Sequence, residues 1–408
     1  MPTWRARRPS SPPPRVPEPA SDSQTVPYWR LSGFYFFYFA SIGALIPYWS
    51  LYLKSLGFDA RAIGTLMALI MATKIVSPNI WGWIADHTGY RMRIVRLGCL
   101  LGAVAFAGVF WVEDYWWLAV VMIVFSFFWN ATLPQFEATT LNYLGRNSHR
   151  YSGIRLWGSI GFIVAVAALG SLLDAQGAGI LPIILLTLFG LIWLASLAVP
   201  ERASAHLSLH HEPLRRVLMR PEVVALLVVC FLLQASHGPY YIFYTLYMEE
   251  QGYSRSLIGQ LWALGVIAEV GVFLVMHRLV PRFGLRRLLL ASLLFTALRW
   301  VLIGEFSNEM AVVLFAQLLH AASFGIYHAV AIQLIHRYFT GRHQGRGQAL
   351  YGSLSFGVGG ATGSFLAGLG WAGLGSQITY LLAALAALLA FIIAWRWIHP
   401  PDDASLSP

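Results

Sequence analysis

Four fully charged side chains interrupt otherwise apolar stretches of the sequence: Lys74, Glu137, Glu269 and Arg299. Each lies in a run long enough to cross a bilayer, about 20 residues. An ionised group at the centre of hydrocarbon costs about 2.5–3.5 kcal/mol, so four together reach on the order of 10 kcal/mol, comparable to a protein's whole net stability. They cannot face lipid. Two cations and two carboxylates around shared water could bind a charged solute and pass a proton; a buried structural ion pair is the plainer alternative. Glu137 and Glu269 are the candidate proton carriers, because burial and a nearby cation pull a carboxyl in opposite directions. His237 and His320 could relay, since imidazole titrates nearest neutrality.

Helical spacing gathers further groups beside these charges. Gln234, His237, Tyr241 and Tyr244 recur at i, i+3, i+7 and i+10, one polar and aromatic stripe. Gln317, His320, Phe324 and His328 fall within about a quarter-turn of one another on a later helix. Asn130, Pro134 and Glu137 line up, and Lys74 shares its face with Ser77, Pro78 and Trp81. Phe162, Trp157 and Tyr241 are candidates to stack an aromatic ring. A lone His328 could equally be a satisfied hydrogen bond between helices.

The elements that must hold these residues are apolar spans near 31–53, 62–85, 94–112, 115–140, 156–173 and 179–199, then 222–248, 256–280, 286–305, 309–336, 347–370 and 374–398. The expected fold is all-α: twelve transmembrane helices in two pseudo-symmetric six-helix bundles, at 30–199 and 222–398, joined by a cytoplasmic linker at 200–221. Residues 1–29 and 399–408 read as tails, the first a disordered cytoplasmic one.

The two halves repeat one another at a constant offset. Leu51-Tyr52 recurs as Leu246-Tyr247, Gly57-Phe58 as Gly252-Tyr253, Ile63-Gly64 as Ile258-Gly259, and Gly89 with Arg91 as Gly284 with Arg286. One shift covers them all, so internal duplication is the economical account. The same shift sets Lys74 on Glu269. Opposite charges at equivalent buried positions of a duplicated membrane chain read as a transporter.

Composition agrees. Hydrophobic residues make up 57% of the chain and charged residues 11%, against roughly 25% charged in an average soluble protein. Cys99 and Cys230 both sit in apolar runs, so neither a disulfide framework nor a metal-spaced cluster is available, and no cofactor is expected. The net charge of +10 is a topology signal. With both termini cytoplasmic, 23 of the 28 Lys and Arg residues fall on that side and only Lys54, Arg61 and Arg255 on the other. That sets nucleic acid aside as a partner and leaves the lipid bilayer, a small-molecule substrate and protons. The runs 158–170 and 350–370 place small residues at nearly every turn, as helix interfaces in lipid do, whether static or sliding.

GWIADHTGYRMR (82–93) resembles the loop signature of the major facilitator superfamily through Gly82, Asp86, Gly89, Arg91 and Arg93, with His87 where a basic residue usually follows the Asp. In the second half Gly284, Arg286 and Arg287 remain, but Pro281 stands where the Asp would be. The resemblance implies a gating role for Asp86, Gly89 and Arg91; Gly89 also suits a tight left-handed turn. The stretch 232–270, with Gln234, His237, Tyr240, Tyr241, Gly252, Tyr253 and Glu269, is similar to the phenylpropionate-permease branch, and Arg299, His320 and His328 continue it. Glu137 and Arg155, eighteen apart, resemble the substrate-contacting pair of lactose-permease-type proton symporters, with Phe162 where that group has Trp. Their proton-handling Lys–His–Glu run survives as Gln317, His320 and Ser323.

The resemblance implies proton-coupled uptake of a small aromatic carboxylate across the cell inner membrane by a multi-pass, monomeric carrier. The substrate set would be Lys74, Glu137, Arg155, Phe162, Gln234, His237, Tyr241, Glu269, Arg299, Gln317 and His320, with Glu137, Glu269 and His320 coupling protons. Alternatives are a sugar, oligosaccharide or nucleoside symporter, which the Glu137/Arg155 pair favours, and proton-driven efflux. A polytopic membrane enzyme, with His320 or His328 as general base, lacks a nucleophile–base run or a phosphate loop.

Overall fold

The computed structural model describes residues 26–201, 215–340 and 343–399. Twelve helical rods cross it. They are α1 (Tyr28–Ser55), α2 (Ala60–Thr88), α3 (Arg91–Phe110), α4 (Tyr115–Leu144), α5 (Tyr151–Gln176) and α6 (Ala178–Leu197), followed by α7 (Pro221–Glu250), α8 (Arg255–Phe283), α9 (Leu285–Glu305), α10 (Met310–Tyr338), α11 (344–374) and α12 (Ser376–Trp397). Eleven are long and apolar enough to span a membrane; in α11, glycines and serines dilute the hydropathy of an otherwise continuous rod. The expected spans are all present, most of them somewhat longer, with α6 and α12 slightly shorter. α1 begins at Tyr28, inside the segment expected to be tail. The rest of that tail, most of the linker and nearly all of the C-terminal tail lie outside the described residues.

Duplication is visible in the backbone itself. Gly57 and Gly252, one repeat apart, have φ of 89° and 88°, and Gly89 and Gly284 both have 75°. Between these turns Asp59 caps α2 by accepting from Ala62 N, and Ser254 caps α8 by accepting from Leu257 N. Equivalent residues therefore start and stop equivalent helices, and Lys74 and Glu269 occupy matching depths in α2 and α8.

Small residues set the packing. A Cβ on Gly161 would stand 2.1 Å from Phe36 O of α1, and one on Gly363 2.3 Å from Ala235 O of α7, so both contacts are backbone to backbone. Across the divide α5 packs on α8 and α2 on α11. Side chains such as Val104, Ile183, Leu274 and Leu366 point outward, which suits lipid and not water.

An even number of spans puts both ends of the chain on one face, called here the terminal face. On the opposite face the bundles are latched. Asp174 at the end of α5 accepts from the backbone N–H groups of Arg255 (2.9 Å) and Ser256 (2.8 Å), the first turn of α8. Arg255 also donates to Leu173 O at 2.9 Å, Ser171 and Ser256 share a hydrogen bond of 2.8 Å, and Lys54 pairs with Glu250 at 2.8 Å. Gly64 meets Gly368 there, leaving no room for a side chain.

Candidate functional site

In the N-terminal bundle α4 and α5 bring Glu137 and Arg155 together, as the resemblance to lactose-permease-type symporters implies. Arg155 Nε lies 3.9 Å from Glu137 Oε1, Tyr151 Oη donates to the same oxygen at 3.2 Å, and the guanidinium rests 3.8 Å over the Phe39 ring. Both charges are about one-third exposed, at 30% and 35%. Asn130, on the same face of α4, serves packing: it donates to Ile70 O at 3.1 Å and Thr73 Oγ1 at 2.9 Å of α2. Lys74 of α2 is half-buried, and among the described residues nothing accepts a hydrogen bond from its ammonium.

The C-terminal bundle treats its charges differently. Arg299 of α9 is completely buried, contrary to the expectation that it faces water. Its guanidinium donates to Ala316 O (2.9 Å), His320 Nδ1 (3.0 Å), Ser323 Oγ (3.0 Å) and Gln317 Oε1 (3.2 Å) of α10. Tyr240 closes the shell, its ring 4.1 Å under the cation and its hydroxyl donating to Gln317 at 3.0 Å. Arginine has no acceptor, so Nδ1 of His320 must receive, and in the neutral ring the proton sits on Nε2. That nitrogen lies 3.4 Å from Glu269 Oε2 of α8. Gly265 and Gly325 allow this approach: a Cβ on the first would crowd Gln317 and His320, and one on the second Val272 and Glu269.

Between the bundles a small pocket is lined by Met67 and Met71 of α2, Gln234, Gly238, Tyr241 and Ile242 of α7, and Gly360 and Ser364 of α11. Lys74 lies on the Met67–Met71 face of α2, one turn further along. Gln234 and Tyr241 thus reach the divide as expected. His237 and Tyr244 do not: they are 1% and 0% exposed, turned into their own bundle. His237 packs on Trp300 at 4.9 Å with Nδ1 on Leu233 O at 2.8 Å, leaving Nε2 without a partner. Trp157 is engaged near the terminal face, its indole N–H donating to Tyr28 Oη at 3.1 Å, and Phe162 is half-buried against the apolar core. Gln317 is fully buried, held by Arg299 and Tyr240.

On the terminal face Gly89 takes the left-handed conformation expected of it, and Arg91 pairs with Asp86 at 2.5 Å and with Gln135 Oε1 at 2.8 Å. Sequence reasoning passed over Tyr240 as a site residue, and Trp300 and Asp174 as well. Aromatics flanking Arg299 and the Tyr240-Tyr241 doublet were the available signals. Tyr240 stands beside the polar stripe, so periodicity alone does not select it. Among the described residues no group of three or more His, Cys, Asp or Glu is placed to hold a metal ion.

Two related bundles, enclosing charges that lipid would not tolerate, define a secondary transporter of the major facilitator type. The chain belongs to the MFS_1 like family, whose profile matches residues 28–382. It is 30% identical over 380 residues to the "Probable 3-phenylpropionic acid transporter" of Escherichia coli, covering 89% of this chain and 96% of that protein. It is 29% identical over 337 residues to the "Maltose permease" of Geobacillus stearothermophilus, covering 80% and 83%. A crystal structure of nucleoside transporter NupG superposes with a TM-score of 0.82 at 16% identity, over 91% of this chain and all of that one, a likeness of fold. These relatives are transporters and not enzymes.

Proposed function

We propose that this protein is a proton-coupled symporter for a small aromatic carboxylate of the phenylpropionate type, working in the inner membrane with its terminal face to the cytoplasm. The supporting observation is the Lys74 ammonium, half-buried at membrane depth with no counter-ion among the described residues. Such a cation is tolerable with water around it and far better with an anion beside it. Met67, Met71 and Tyr241 one or two turns away offer the apolar and aromatic wall that a phenyl ring needs. Glu269, with His320 Nε2–H facing it, is the group to take the proton. Arg155 and Glu137 line the route to the terminal face. The latch between the bundles holds the opposite face closed in this conformation.

A second reading, a sugar substrate, is favoured by the Glu137–Arg155–Tyr151 cluster, whose donors and acceptors suit hydroxyl groups. Uptake of labelled phenylpropionate, maltose and uridine into proteoliposomes, with and without an imposed pH gradient, separates the two. The aromatic acid should accumulate only with the gradient. Lys74→Gln should weaken its binding by about 2–5 kcal/mol, roughly thirty-fold or more. A Lys74→Gln protein that transports the acid normally, or a wild type that prefers maltose, sinks this assignment.

A further inference from the structure

α10 leaves α-helical geometry over Ala321–Ile326, which is π-helix. Residues four apart on an α-helix drift about 40° around its axis. A π turn closes i→i+5 and holds more residues, which takes up that drift. His320, Phe324 and His328 consequently stand in one column, successive rings 5.6 Å apart and within 5° of parallel. π turns are rare and gather at functional sites, and this one joins two imidazoles.

The upper ring, His320, faces Glu269. The lower ring, His328, lies two turns closer to the terminal face and is half-buried. Its Nδ1 is 2.9 Å from Tyr351 Oη of α11, and its ring meets Phe356 at 6.0 Å. Phe356 is carried by a second π segment, Ser353–Gly359, so both departures from α-geometry border this imidazole. Glu269 of α8 and Arg155 of α5 both act electrostatically on His328, one from each bundle, while Tyr351 neighbours Tyr327 and Cys230. With Nδ1 engaged, Nε2 is the nitrogen left for the space between the bundles.

We propose that His328 is the second proton station of the carrier, receiving the proton that Glu269 releases and delivering it to water on the terminal face. The Glu269 carboxylic acid gives its proton through a bridging water to Nε2 of His328, leaving a carboxylate and an imidazolium. The imidazolium then gives its proton to water on the terminal face, and the Glu269 carboxylate again accepts a hydrogen bond from His320 Nε2–H. Tyr351 is a positioning residue: it holds the ring through Nδ1 and keeps Nε2 turned to the divide. The inference rests on the proton-symport reading above.

The test uses full-length protein in proteoliposomes and the solute that the wild type carries. It compares exchange at equal pH with accumulation under an imposed pH gradient, and follows the pH profile of net efflux. His328→Gln keeps a side chain able to bond Tyr351 but cannot carry a proton. Its exchange should stay within about twofold of wild type, while gradient-driven accumulation falls on the order of tenfold, the scale of an ordinary coupling free energy. The efflux profile should flatten, and Tyr351→Phe should give a smaller change of the same kind. A His328→Gln protein that accumulates as wild type does overturns the proposal, as does one losing exchange and accumulation in parallel. A wild type indifferent to the gradient overturns the symport reading itself, and shows it without any variant.

Discussion

Arg155 and Arg299 set the same problem, a guanidinium at or near membrane depth, and the two bundles answer it in opposite ways. Arg155 keeps water and a carboxylate: it is about one-third exposed, 3.9 Å from Glu137. Arg299 has neither. It is sealed by four neutral acceptors on one neighbouring helix and by the face of Tyr240. Loose, wet pairs contribute little to stability and rearrange readily. Fully satisfied dry networks rigidify. The first arrangement suits a surface that must exchange partners during transport, the second a scaffold that holds His320 in one tautomer before Glu269.

The largest effect should come from the dry side. Arg299→Leu takes the guanidinium's donors from the carbonyl of Ala316, His320 Nδ1 and Ser323 Oγ, a loss of about 3–5 kcal/mol, seen as a lowered melting temperature in detergent. Arg299→Lys should recover only part of it, because an ammonium cannot reproduce the planar fork. If the leucine variant melts with the wild type, the contrast between the bundles is void.

Asp174 comes next, charged and exposed but placed between the bundles. Asp174→Ala strips the acceptor from two N–H groups of α8, about 1 kcal/mol, and should move the equilibrium about fivefold toward opening of the opposite face. A cysteine at Ser171 should then react faster with an impermeant thiol reagent. Cys99 and Cys230 are buried and give little background. Unchanged labelling would mean that the latch merely accompanies closure.

The smallest stability effect belongs to the wet pair. Glu137→Gln should shift unfolding by less than about 1 kcal/mol while still impairing uptake. A destabilisation as large as that of Arg299→Leu would show that Glu137 and Arg155 are structural after all.

Much of this was legible in the chain. The offset relating Gly57 to Gly252 and Gly89 to Gly284 foretold helix stops at matching places, because a positive φ excludes most other residues. The eighteen-residue spacing of Glu137 and Arg155 crosses one short connection, so their meeting followed from two antiparallel helices. The twelve apolar runs became twelve rods because hydrocarbon leaves a backbone few alternatives to the helix. The placement of His237 and Tyr244 was not legible: both share the stripe of Gln234 and Tyr241, but the contact of α7 with α9 and α10 turns them inward.

By itself, then, the sequence decided that this is a duplicated membrane protein with ionised groups at matching depths, since hydropathy and charge are properties of residues in order. Only the tertiary structure decided which of those groups are wet, which imidazole nitrogen carries the proton, and that Asp174 closes one face by capping a helix of the other bundle. Those outcomes depend on atoms tens of residues apart meeting within hydrogen-bond distance, and that is a property of packing.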